Sequence, residues 1–183
     1  MGKKALFLDR DGVVIEDPGH LHKKEQVNLL PGVEALDRLQ EAGFRLVMVS
    51  NQSAVARGLM NEEEMWEIDK FVRRQLKEKG VIIEGSYYCP HHPDITGPCE
   101  CQKPKPGLFL RALKELNIDP VSSISIGDKP SDLEGARNAG IDIGILVKRN
   151  GEFWDATKKE LTMIEHKADN ISEAVNFILD RIL

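Results

Sequence analysis

Two aspartates one residue apart, Asp9 and Asp11 in the stretch ALFLDRDGVV, stand where a short apolar run stops. The spacing lets both carboxylates lie on one side of a turn while Arg10 points away. Such a pair suits a division of labour, one carboxylate attacking an electrophile and the other handling the proton. Gly12 would let the backbone approach a bound group closely. A lone loop aspartate more often makes only an Asx-turn, so the pair needs company, and IGDKPSD supplies it. Asp128 ends another apolar run. It would either cap the helix that begins near Asp132 or join Asp9 as a second hard oxygen ligand for Mg2+. In SNQSAVARG, Ser50 and the N–H groups after it stand at a third such end and can receive phosphate oxygens, although polar turns of this kind are common without a ligand.

A second constellation is sulfur-based. The three cysteines, Cys89, Cys99 and Cys101, fall in one proline-rich stretch together with His91 and His92. Three thiolates and one imidazole make a closed tetrahedral set suited to structural Zn2+, and the tight turn CPHHP could present either histidine. A disulfide would leave one thiol over, and clustering of this kind suggests metal more than a bridge. Metal would order a loop that has no apolar core of its own. Lys103 follows the last cysteine by two residues, so fixing the loop also fixes that lysine.

The elements that must carry these groups alternate. KALFL and FRLVMVS read as buried strands, GSYYC as a short third strand, SSISIG as a fourth and IDIGILV as a fifth. Between them, GVEALDRLQEAG has helical spacing and closes at Gly43. Asn61 with Glu64 forms a capping box for a helix to about Gly80, and GLFLRALKELNI and SDLEGARNAG are helices. From about Ser172 an amphipathic helix runs through Val175, Ile178, Leu179 and Ile182. The stretch from Pro90 to Pro106 has no helical period. Strands separated by helices of this length imply parallel pairing in a doubly wound, Rossmann-like α/β sheet with helices on both faces. Ligands of such sheets bind at the carboxyl ends of the strands, where strand order switches direction, and DRD, SNQS and GDK lie at three of those ends.

FLDRDG, VSNQS, KPKPG and IGDKPSD, in that order, resemble the four signature segments of the haloacid dehalogenase superfamily of phosphatases. The resemblance implies that Asp9 is a nucleophile that takes the phosphoryl group and that Asp11 is the general acid and base. It implies Mg2+ on Asp9, on the main-chain carbonyl of Asp11 and on Asp128. Ser50 and Lys103 would hold phosphoryl oxygens, and Lys129 would add charge beside the metal. Asp17, Pro18, Gly19, His20, Asn51, Gln52, Ser53 and Gln102 are implied to lie near the substrate, a small phosphorylated sugar. Gln102 departs from the family's arginine, whose charged planar fork glutamine cannot reproduce. His91 rather than His92 matches the family's zinc ligand beside Cys89, Cys99 and Cys101. The stretch EDPGHLHKKEQVNLLPG is too short for a cap domain, so loops alone would roof the site.

Length and charge bound the alternatives. At 183 residues one domain, residues 1–183 with a zinc loop at about 89–106, is expected. A net charge of -5 with acids and bases interspersed offers no basic stripe for nucleic acid. No apolar run is long enough to cross a bilayer and no signal peptide is present, so a cytoplasmic monomer with no membrane partner is expected. A zinc-stabilised binding protein on the same fold is the alternative from another class, and the intact Asp9 and Asp11 pair argues against it.

Overall fold

The computed structural model describes residues 2–155, 157 and 162–181. The strands are β1 (Ala5–Leu8), β2 (Arg45–Asn51), β3 (Ile83–Cys89), β4 (Ile124–Gly127), β5 (Ile143–Val147) and β6 (His166–Ala168). All pair in parallel in one six-stranded sheet of order β3-β2-β1-β4-β5-β6. β1 lies between β2 and β4, with Leu8 opposite Met48 on one side and Ile126 on the other. The chain therefore switches direction at β1, which opens a crevice beyond its carboxyl end.

Side chains alternate across each strand. Leu6, Leu8, Leu46, Met48 and Ile126 face one layer, formed by α1 (Leu36–Glu41), α2 (Glu62–Glu78) and α6 (Ile171–Arg181). Ala5, Phe7, Val47 and Val49 face the other, formed by α4 (Gly107–Leu116) and α5 (Pro130–Asn138). The Phe7 and Phe109 rings pack there with centroids 5.5 Å apart. The doubly wound architecture expected from the alternation is thus observed, with helices on both faces.

Local signals behave as their chemistry predicts. Asn61 Oδ1 accepts from the Glu64 N–H and Glu64 Oε2 from the Asn61 N–H, both at 2.8 Å, which closes the capping box of α2. After α1, Gly43 takes φ +90 and donates to Gln40, while Phe44 donates to Leu39, a Schellman ending. The first helix differs from expectation by opening with a 3-10 turn, Val33–Ala35, before α1. β3 starts two residues ahead of GSYYC, and the Pro90–Pro106 stretch contains one helical turn, α3 (Pro93–Thr96), capped by His92. The edge strand β6 was not legible, being three residues of which only Ala168 is buried. Ile182, expected on the last helix, lies outside the described residues. Between β1 and the first helix, the described residues 16–32 hold one 3-10 turn, Lys24–Gln26, and no further domain.

Candidate active site

β1, β2 and β4 end side by side, and the turns that follow them meet over a cleft of about 220 Å³. Asp9 begins at the last rung of β1, its N–H donating to Ile126 of β4 at 3.1 Å. Its buried carboxylate accepts from Lys103 Nζ at 2.8 Å, and the same ammonium reaches Asp132 at 2.7 Å and the Val49 carbonyl of β2 at 2.7 Å. Burial pushes the Asp9 pKa up, but Lys103 and a Ser50 hydrogen bond outweigh it and hold Asp9 below the usual carboxylate range. For Lys103, burial favours the neutral amine, yet Asp132 and Asp9 keep the pKa above that of an ordinary lysine.

Lys103 is delivered by the loop after β3. Asn51, at the end of β2, accepts from the Lys103 N–H at 3.0 Å and donates to its carbonyl at 3.2 Å, a two-way brace across 52 residues. Upstream, Cys89, His91, Cys99 and Cys101 converge. Cys89 and Cys101 Sγ lie 2.8 Å apart, Cys99 lies 3.6 and 3.5 Å from them, and His91 Nδ1 lies 3.2 Å from Cys101. Four donors within 4.8 Å of one another approach the edge of about 3.8 Å that Zn–S bonds near 2.3 Å give a tetrahedron, so the cluster is compatible with a zinc site. Burial, with hydrogen bonds from the neighbouring thiols, raises the Cys89 pKa. Cys99 is pushed up by burial, but the Gln102 backbone N–H and the other thiols draw it down to about 7. His92 stands outside the cluster, capping α3 and contacting Arg57 at 3.1 Å.

Asp128, at the end of β4, is buried, and neither carboxylate oxygen has a hydrogen-bond partner among the described residues. The nearest cation among the described residues is Arg149, with Nε at 3.6 Å. Burial, with Asp9 and Asp132 close by, pushes the Asp128 pKa up to about 8. An orphaned buried carboxylate is costly, and a hard divalent cation between Asp128 and Asp9 would relieve it, so the donor set fits Mg2+. Gly12 (φ +92) makes room, because a Cβ there would lie 2.6 Å from Asp128 Oδ2. The close approach expected of Gly12 is therefore to this carboxylate.

Arg10 requires a correction. It does not point away: it is fully buried, with Nε 2.8 Å from Asp11 Oδ1 and Nη2 3.1 Å from Oδ2. Strand alternation ends at Leu8, and in the turn beyond it the guanidinium folds back 5.2 Å from the Tyr88 ring. Gln52 is buried as well. Its amide donates to Asp11 Oδ2 at 2.9 Å and to Ser50 Oγ at 3.1 Å, and accepts from Arg10 at 2.5 Å, so its side chain serves this network and not the cleft.

Of the other residues expected near a substrate, Asp17, Gly19, His20, Asn51, Ser53 and Lys129 line the cleft, as do Asp9, Asp11, Ser50 and Lys103. Gln102 does not, and Pro18 lines a neighbouring hollow instead. Sequence reasoning leaves out three residues that line the cleft, Ser131, Asp132 and Arg149. Asp132 was read only as a helix start; it does accept from the Lys129 N–H at 3.0 Å, but its other oxygen takes Lys103. Arg149, paired with Asp17, follows β5, and a search for polar residues beyond every strand end would have found it.

A carboxylate cluster and a buried lysine at the switch point of a doubly wound sheet form an enzyme's crevice. A family model for haloacid dehalogenase-like hydrolases matches residues 3–140, and the chain belongs to that family. It is 41% identical over 167 residues to the D-glycero-beta-D-manno-heptose-1,7-bisphosphate 7-phosphatase of Pasteurella multocida, covering 88% of this chain and 91% of that protein. The protein of the same name from Haemophilus ducreyi is 39% identical over 182 residues, covering 96% and 100%. A crystal structure of D,D-heptose 1,7-bisphosphate phosphatase from B. bronchiseptica, complexed with magnesium and phosphate, superposes with a TM-score of 0.81 at 29% identity, covering 96% and 98%. With such relatives, the chain is a phosphoric monoester hydrolase. No helix among the described residues is long and apolar enough to cross a membrane.

Proposed function

We propose that the protein removes the C7 phosphate of D-glycero-D-manno-heptose 1,7-bisphosphate through an aspartyl-phosphate on Asp9, on a route to nucleotide-activated heptose. The observation that carries the mechanism is the Asp9 carboxylate held ionised at the strand end by Lys103 at 2.8 Å. The substrate is supported by the similarity to the two named relatives over nearly their whole length.

In this reading the phosphoryl group enters the cleft with its oxygens toward Ser50, Lys103 and Lys129. An Asp9 oxygen attacks phosphorus as the bond to the sugar C7 oxygen breaks, and Asp11 gives that oxygen its proton. Water then attacks the phosphorus of the aspartyl-phosphate, passing a proton to Asp11, which releases inorganic phosphate and restores Asp9. Arg10 and Gln52 fix the Asp11 carboxylate at the cleft edge throughout. Mg2+ held by Asp9, Asp128 and the main-chain carbonyl of Asp11 would neutralise charge on the phosphoryl oxygens, the main demand of phosphoryl transfer.

The test compares kcat/KM for both anomers of the heptose bisphosphate with that for histidinol phosphate, the substrate of a related phosphatase activity. A clear preference for a heptose bisphosphate is expected, with turnover and the phosphoenzyme both lost in Asp9→Asn. Preference for histidinol phosphate would overturn the substrate, and near-normal activity of Asp9→Asn would overturn the mechanism.

A further inference from the structure

The substrate of this reading carries two phosphates, and the groups assigned so far engage only one. The cleft of about 220 Å³ is smaller than the roughly 300–1,000 Å³ of ordinary ligand pockets, so the sugar and its second phosphate must extend beyond its rim. Two hollows adjoin it. One of about 890 Å³ meets the cleft at Asp17; the other, of about 560 Å³, meets it at Arg149.

The cations decide between them. Of those lining the cleft, Lys103 is buried between Asp9 and Asp132, and Lys129 acts on the charges of Asp9 and Asp128. Lys148, in the larger hollow, is paired with Asp169 at 2.7 Å. Arg149 alone among these lines both the cleft and an adjoining hollow, and it is partly exposed. Asp17, a partly buried residue whose side chain is only 6% exposed, holds one end of the guanidinium. The turn carrying Arg149 begins two residues after β5 and is closed by reciprocal backbone hydrogen bonds with Glu152 of 2.9 and 3.1 Å. Beyond it lies the half-exposed ring of Trp154, which offers a sugar face an apolar contact; Asp128, Glu152 and Asp155 also line that hollow and suit sugar hydroxyls, which leaves the phosphate to Arg149 itself.

We propose that Arg149 binds the non-reacting phosphate of the bisphosphate substrate, oriented by Asp17, with that end of the sugar lying in the hollow toward Trp154. The inference rests on the bisphosphatase reading above. A guanidinium presents five donors in a planar fork that matches phosphate. The contacts with Asp17 and Asp128 run through Nη2 and Nε.

The test measures kcat/KM of wild type, Arg149→Gln and Arg149→Lys on heptose 1,7-bisphosphate and on heptose 7-phosphate, which lacks only the second phosphate. Wild type is expected to prefer the bisphosphate. Arg149→Gln should reduce that preference by about 10- to 100-fold, mainly through KM, the worth of a charge-assisted contact. Arg149→Lys should fall between the two. Because Arg149→Gln leaves the largely covered Asp17 carboxylate without its cation, Arg149→Gln with Asp17→Asn serves as the folding control and should lose the preference equally. A preference unchanged in the variants, or efficiencies falling alike on both substrates, overturns the role of Arg149 and leaves the phosphatase reading intact. A wild type inactive on both substrates overturns that reading, and this inference with it.

Discussion

Replacing Lys103 with methionine removes the one ammonium that separates two buried carboxylates. At 2.8 Å from Asp9 and 2.7 Å from Asp132, each attraction amounts to about 6 kcal/mol at an effective dielectric of 20. Most of that offsets the cost of taking three charges out of water. What the variant loses is set by the charges it strands, about 3–5 kcal/mol for a broken buried pair. With a urea m-value of about 2 kcal/mol per M, the unfolding midpoint should fall by about 1.5–2.5 M. Adding Asp132→Asn removes one stranded charge, so the double variant should recover at least about 1 kcal/mol, a non-additivity expected of direct contacts. Phosphatase turnover should fall by at least about 100-fold, since a charge that stabilises the transferring group is gone. A Lys103→Met protein within about 1 kcal/mol of wild type, or a double variant that recovers nothing, would refute the claim that Lys103 is held by these two acids.

Three further outcomes are expected. Asp11→Asn keeps the shape but cannot trade a proton, and kcat should drop by roughly 10²- to 10⁴-fold; an unchanged kcat removes Asp11 from proton transfer. Asp128→Asn relieves an orphaned carboxylate, so in chelator it should unfold at or above the wild-type temperature, and Mg2+ should raise the Tm of wild type but not of the variant. Equal Mg2+ stabilisation of both would place the ion elsewhere. Metal analysis should find about one zinc per chain, lost in His91→Ala and retained in His92→Ala, because His91 alone of the two joins the thiols; the reverse pattern would exchange the two histidines.

Much of this site can be read in the chain because its chemistry is local. Asp9 and Asp128 were found from apolar runs that end in acids, a pattern that needs only β1 and β4 to be buried strands. The four zinc-type donors fall within thirteen residues at and after the end of β3; their clustering suggested a metal, and the family resemblance chose His91 over His92. The capping box of α2 and the Schellman ending of α1 are likewise contacts between residues three to five apart. The short edge strand β6 escaped notice because three residues carry no period.

Sequence by itself determined which side chains could do the work and that they stand at strand ends. Tertiary structure decided which of them meet and which way they face. Strand order puts β1 between β2 and β4, and that arrangement draws Asp9 and Asp132 onto the one ammonium of Lys103 and sets Arg149 beside Asp17. The same holds for Arg10, whose direction no alternation rule could give once the strand had ended at Leu8. Local geometry propagates a side chain's direction only while the backbone repeats. Past the last rung, burial and charge pairing with residues distant in sequence choose the direction, and these exist only in the folded chain.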